Sequence, residues 1–148
     1  MSVYLSAPLF TTAERTFNEQ LALALRDRSP SLDVELPQDF ARRIAKDPKF
    51  YQKMFRYCID AIDHCNVVVA IIDGADADSG TCVEIGYARA KGKMVIGVRT
   101  DVRACEDRGL NLMVANICSH LILIPSTIGT LQGLADRIVE AIGSFRRR

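Results

Sequence analysis

The stretch that most constrains this chain runs from Asn66 to Gly92, NVVVAIIDGADADSGTCVEIGYARAKG. Val67 to Ile72 is an unbroken apolar run of strand length, the pattern of a central parallel strand covered on both faces. The polarity then reverses at once. Asp73, Asp76 and Asp78 follow within a loop rich in glycine and alanine, and Ser79-Gly80-Thr81 opens a helix carrying Glu84, Tyr87 and Ala88. Ligands of open α/β sheets bind at the carboxyl ends of the strands. Carboxylates gathered at such an edge repel one another, so at least one of them is expected to have a use there.

The rest of the chain supplies the sheet around that strand. Val3 to Ser6 reads as a short first strand stopped by Pro8. Thr11-Thr12-Ala13-Glu14 resembles a capping box, and Phe17, Leu21, Ala24 and Leu25 continue with helical spacing. Leu32 to Leu36 reads as an outer strand, and Gln38 to Lys46 as a short helix. Asp47-Pro48 reads as a cap with proline at the first helical position, opening a long amphipathic helix through Tyr51, Met54, Cys58, Ile62 and Cys65. After Gly92, Met94 to Val98 is a fourth strand. Arg99 to Gly109 is a charged loop, Leu110 to Cys118 a short apolar helix, and His120 to Ile124 a fifth strand. Leu131, Leu134, Ala135, Ile138 and Ile142 mark a last helix. Strands alternating with helices predict a doubly wound parallel sheet with helices on both faces. The flavodoxin-like order 2-1-3-4-5 puts the switch point between strands one and three, which brings Tyr4 and Ser6 beside Asp73. With no repeat or linker, residues 1–148 read as one α/β domain.

Composition excludes several functions. Nineteen basic residues against eighteen acidic give a net charge of +1, without the basic stripe of a nucleic-acid binder. The one like-charge run, Arg146 to Arg148, reads as a solvated tail. No apolar run approaches the ~18 residues of a membrane span, and MSVYLSAPLF lacks the features of a signal peptide, so a cytoplasmic location is expected. The five cysteines, Cys58, Cys65, Cys82, Cys105 and Cys118, have no paired spacing and read as reduced packing residues. Cys82, close to the acidic loop, could also be a reactive thiol. His64 and His120 lack metal-ligand spacing, so no metal site is expected. Neither GxGxxG nor GxxxxGK[ST] occurs, so nucleotide phosphates lack their usual cradle.

The candidate residues each carry a plain structural alternative. Thr81-Cys82-Val83-Glu84 fits a capping box in which Glu84 only ties back to the Thr81 amide. In the first turn of a helix aimed at the binding edge, Glu84 could instead be an ionised nucleophile toward an electron-poor anomeric carbon. Asp73 could cap the turn after its strand, Asp78 could start the helix, and Tyr4 could be a core aromatic. Asn111 and Met113, in Asn-Leu-Met, could be a helix cap followed by core.

In combination these residues resemble the nucleoside 2-deoxyribosyltransferases. The resemblance rests on YLSAPLF at the N-terminus, on D-x4-D-S-G-T-x2-E-x-G-Y-A from Asp73 to Ala88, and on NLM at 111 to 113. It implies that Glu84 attacks C1′ of the deoxyribose, that the Tyr4 hydroxyl holds that glutamate, and that Asp73 hydrogen-bonds the base and shuttles its proton. It also implies that Asp78 lies near the sugar 5′-hydroxyl, and that Asn111, with Met113 in the same segment, reaches that hydroxyl from a neighbouring subunit. Phe10 and Gln38 are weaker matches, to a pocket aromatic and a base-contacting glutamine. Phe145 precedes the three arginines where the family often ends in a carboxylate or aromatic near the site. Implied partners are 2′-deoxynucleosides, free nucleobases and further copies of the chain, as a hexamer of dimers with shared sites. No metal or organic cofactor is required.

Three functions are then in competition. The leading one is exchange of the base on a 2′-deoxynucleoside. The second is hydrolysis of deoxynucleoside 5′-monophosphates, which would call for serines, arginines and glycines near the first strand, where this chain has SAPLF and no arginine before Arg15. The third is a nucleoside-sensing module without catalysis.

Overall fold

The computed structural model describes residues 1–101, 110–124 and 129–145. Most of the loop expected over 99–109 and the arginine tail lie outside the described residues. The strands are β1 (Ser2–Ser6), β2 (Asp33–Glu35), β3 (Val67–Ile71), β4 (Met94–Arg99) and β5 (His120–Leu123). The helices are α1 (Thr12–Arg28), α2 (Pro37–Arg43), α3 (Phe50–His64), α4 (Ser79–Ala90), α5 (Leu112–Ile117) and α6 (Leu131–Phe145). All pairings are parallel, in the order β2-β1-β3-β4-β5, as expected for the flavodoxin-like arrangement.

The β3 run is apolar throughout because both of its faces are covered. Side chains alternate across a strand. Val67, Val69 and Ile71 join a core with Leu21 and Leu25 of α1 and Leu134, Ile138 and Ile142 of α6. Val68, Ala70 and, just past the strand, Ile72 join a second core with Ile62 of α3, Ile85 of α4 and Val114 of α5. Gly97 on β4 belongs to the second face. A Cβ there would meet Cys118 Sγ at 2.7 Å and Leu121 Cδ2 at 2.9 Å, so any larger residue would force these side chains to shift.

β1 and β3 are neighbours with Tyr4 opposite Val68 and Ser6 opposite Ala70. The chain leaves β1 for α1 on one face and β3 for α4 on the other. That divergence is the topological switch point, the place at the carboxyl edge where open α/β sheets bind their ligands. Tyr4 and Ser6 are two residues apart on a strand, so both point to the α3–α4 side.

Some local expectations are corrected. The Thr11–Glu14 capping box forms at the head of α1. Asp47 does not cap α3 directly. Its Oδ1 accepts the Lys49 N–H at 2.8 Å and its carbonyl accepts the Phe50 N–H, so it shapes the turn before a helix that begins at Phe50. α2 begins at Pro37, where a missing N–H costs nothing, and ends at Arg43. No helix among the described residues is long and apolar enough to cross a membrane.

Candidate active site at the carboxyl edge of the sheet

The start of α4 decides what Glu84 is free to do. Asp78 is the N-cap, and its Oδ2 accepts the Thr81 N–H at 2.8 Å. The cap thus falls three residues before the Thr81 expected for it. Glu84 lies in the second turn, so the capping-box alternative is overturned. The terminal dipole, which fades beyond the first turn, is also a weaker influence on it than expected. Glu84 instead turns inward to β1.

There it meets hydroxyls. Tyr4 Oη donates to Glu84 Oε1 at 2.8 Å, and Ser6 Oγ donates to Glu84 Oε2 in a short hydrogen bond. The Cys58 thiol, from α3, lies close enough to influence the titration of both Tyr4 and Glu84. Burial raises the Glu84 carboxyl above the ordinary glutamate range. The bonds from Ser6 and Tyr4, and the Cys58 thiol, pull it back, and the Asp78 charge adds to the rise. Burial, reinforced by the Glu84 charge, keeps the Tyr4 phenol protonated and therefore a donor. Burial likewise pushes the Cys58 thiol up to about 11. The result is an oriented carboxylate with neutral donors around it, at the mouth of the switch point.

Asp73 occupies the other side of the same edge, immediately after β3. Thr100 N–H donates to its Oδ1 at 2.6 Å and Asp101 N–H to the same oxygen at 3.0 Å, while the Thr100 hydroxyl donates to Oδ2 at 2.5 Å. A carboxylate offers about four acceptor positions, so among the described residues one is left for an incoming group. The turn that follows is fastened as well. Gly74, at φ +107°, takes a conformation that side chains rarely allow, and the buried Arg99 donates to the carbonyls of Ile72 and Gly74.

The family signature in the sequence extends over residues 3–115, which match Nucleoside 2-deoxyribosyltransferase. The chain belongs to the nucleoside 2-deoxyribosyltransferase family. Among solved structures, a 2-deoxyribosyltransferase from Bacillus psychrosaccharolyticus is similar at 17% identity and a TM-score of 0.73, over 92% of this chain and 91% of that one. The 2-desoxiribosyltransferase from Leishmania mexicana is similar at 24% identity and a TM-score of 0.57, over 76% and 84%. A CMP N-glycosidase from Clostridium botulinum is similar at 20% identity and a TM-score of 0.60, over 94% and 99%. At these identities the structures establish a shared fold. No curated protein matches the sequence.

The other residues singled out by the family motif separate in space. Tyr87 serves the scaffold, with its hydroxyl bonded to both oxygens of Asp63, which ties α4 to α3. Asn111 is the N-cap of α5, its Oδ1 accepting the Met113 N–H at 2.9 Å and the Val114 N–H at 3.4 Å. Met113 at 68% and Leu112 at 57% exposed are not core, while Val114 is buried. Phe10 is 74% exposed at the entrance to α1. Gln38 is 2% exposed, with its amide committed to the Arg15 carbonyl and the Asn18 side chain, so it joins α2 to α1. No hydrogen bond links Asp73, Asn111, Phe10 or Gln38 to Glu84 among the described residues.

Sequence reasoning missed Cys58 and Thr100, and it read Ser6 only as a neighbour of Asp73. Ser6 was findable, since period two puts it on the Tyr4 face. Cys58 read as packing, and Thr100 sits at the end of β4 with no signal beyond the strand order. The reactive-thiol reading of Cys82 loses support, because burial and the Asp78 and Asp76 charges raise its pKa and so disfavour the thiolate. No cluster of three or more metal-ligating side chains occurs among the described residues.

Proposed function

We propose that this chain transfers the 2-deoxyribosyl group of a 2′-deoxynucleoside to another purine or pyrimidine base by two displacements at C1′. The observation that carries this reading is the Glu84 carboxylate, released from any capping role and held by Tyr4 and Ser6 at the switch point. A Glu84 oxygen forms a bond to C1′ as the N-glycosidic bond breaks, and the electron pair leaves with the base. Asp73 enters the step protonated on its one remaining position, donates that proton to the departing nitrogen, and recovers it from the N–H of the incoming base as that base displaces the ester. Positive charge developing at C1′ is opposed by the Glu84 anion. The incoming base then displaces the ester, so the β configuration is retained. Asp78 and a neighbour's Asn111 address the 5′-hydroxyl.

The substrate is read as a nucleoside because the first cation after β1 is already occupied. Arg15 donates to the carbonyls of Leu9 and Phe10, both at 2.9 Å, and is not directed at a phosphate. The alternative is a hydrolase of 2′-deoxynucleoside 5′-monophosphates, in which water takes the place of the second base and a phosphate contact other than Arg15 is required. We also propose that copies of the chain associate and share sites. This is supported by the exposed Tyr51, Phe55, Val83, Leu112 and Met113 on the helices of one layer.

The test is a product chromatogram from deoxyinosine plus adenine, thymidine plus adenine, and a deoxynucleoside monophosphate alone. Base exchange supports the reading. Net release of base and sugar phosphate would move the assignment to the hydrolase, and binding without turnover would leave only a sensing module. Quenching the enzyme with a 2′-fluorinated arabinosyl nucleoside should leave a sugar adduct on the Glu84 peptide. Light scattering of the intact chain should give an oligomer, and a fully active monomer would defeat the shared-site arrangement.

A further inference from the structure

We infer that Ser6 is a positioning residue for Glu84, its buried hydroxyl holding Oε2 while Tyr4 holds Oε1, so that the carboxylate is oriented at both ends before substrate arrives. The inference rests on the nucleophile reading of Glu84 and adds a residue outside the tyrosine, aspartate and glutamate set of the motif.

Three features carry it. Ser6 is 0% exposed, and no partner for its hydroxyl other than Glu84 occurs among the described residues. A buried hydroxyl with one acceptor is committed to that acceptor. Ser6 also lies at the last position of β1, paired to Ala70 of β3, so the strand and not a loop places the donor. Finally, the Tyr4 bond alone would leave the second oxygen free to rotate about the terminal torsion, which is soft. With both oxygens bound, that rotation is closed.

The clamp acts in both displacements. In the first, it holds an anion that burial disfavours. In the second, the C1′–O bond breaks and its electron pair returns to the carboxylate, where donors on both oxygens receive the charge. The groups facing Glu84 are Tyr4 and Ser6 from β1, Cys58 from α3, and Asp78 from the start of its own helix. Asp78 opposes ionisation and the others favour it, with Ser6 first among them. Loss of the Ser6 hydroxyl therefore moves the Glu84 carboxyl further up.

The experiment compares Ser6→Ala and Ser6→Cys with the wild-type enzyme in base exchange across pH, with thermal melting of each. Ser6→Ala should lower kcat by about tenfold and move the acid limb of kcat/KM upward by about one pH unit, the loss of one bond to a charged group. KM should change little, since Ser6 does not touch substrate. Ser6→Cys keeps similar volume and a weaker donor, so its limb should fall between the other two. It also carries the test if the alanine variant fails to fold. A wild-type acid limb and kcat in Ser6→Ala, or equal losses in the alanine and cysteine variants, would overturn the inference. Glu84→Gln separates the two readings. An inactive Glu84→Gln beside an unaltered Ser6→Ala rejects the role of Ser6 alone, while an active Glu84→Gln rejects the nucleophile itself.

Discussion

The two carboxylates at the carboxyl edge are held in opposite ways. Glu84 is held by side chains that can turn, the hydroxyls of Tyr4 and Ser6. Asp73 is held chiefly by backbone N–H groups at the end of β4, which cannot turn, with the Thr100 hydroxyl as a third donor. A hydroxyl can donate or accept, whereas an amide N–H only donates. Under the proposed mechanism the Glu84 surroundings can thus follow a carboxylate that becomes an ester and returns. The Asp73 surroundings fix one carboxylate geometry as part of the β3–β4 junction. The same exchange of acid for amide should consequently have different results at the two positions.

The largest expected effect is at Glu84. Glu84→Gln should lower turnover by about a thousandfold or more, because the anionic nucleophile is gone. Stability should not fall. The folded-state pKa of Glu84 is raised, so the folded chain binds this proton more tightly than the unfolded chain does. Its contribution therefore decreases as pH rises from the ordinary glutamate range through the raised value, and ionised Glu84 opposes folding above it. The neutral amide removes that opposition, and whichever of Tyr4 and Ser6 faces its NH2 can turn to accept while the other still donates to its oxygen. Parallel kinetics and melting at neutral pH check both parts, and a melting temperature well below wild type would contradict the account of turning hydroxyls.

Asp73→Asn should do the reverse in stability. Its oxygen in the place of Oδ1 still accepts both N–H groups and its NH2 faces the Thr100 hydroxyl, which must turn to accept, so the three bonds lose their charge assistance and about 1–3 kcal/mol of folding free energy should be lost. Urea denaturation measures it. A loss as small as that of Glu84→Gln would erase the contrast between the two sites.

Tyr4→Phe should lower kcat by about tenfold, since one bond to the charged carboxylate disappears while the charge remains. The acid limb should rise, as the Tyr4 bond favours ionised Glu84. Asp78→Ala should cost about 1 kcal/mol through loss of the α4 cap. Its acid limb should move the other way, to lower pH, because the repelling charge beside Glu84 is gone. A pH titration of kcat/KM on these two variants shows whether the limb belongs to Glu84. Shifts of the same sign would assign it elsewhere.

The strand order and the alternating burial were legible because the 67–72 run, the helix periods and the Pro and Gly stops all describe local geometry, which chain order converts to topology. Tyr4 and Glu84 were legible as a pair only through the family motif. Nothing in their spacing of eighty residues indicates contact. The cap of α4 was misread because Thr81-x-x-Glu84 and Asp78-x-x-Thr81 overlap in sequence, and either could start the helix. Asp78 wins because its carboxylate reaches the Thr81 N–H, which moves Glu84 a turn inward. Gln38 looked available for a base, yet its amide is consumed at the α1–α2 joint.

By itself, then, the sequence determined which segments are strands, which faces are apolar and which acids end at the carboxyl edge, since each follows from a period or a stop within a few residues. Only the tertiary structure decided what those acids are bound to. Tyr4 and Ser6 reach Glu84 from β1, and Thr100 reaches Asp73 from just past β4. Those partners are far apart in the chain and share a site only because parallel strands bring their ends to one edge, with helices packed across them.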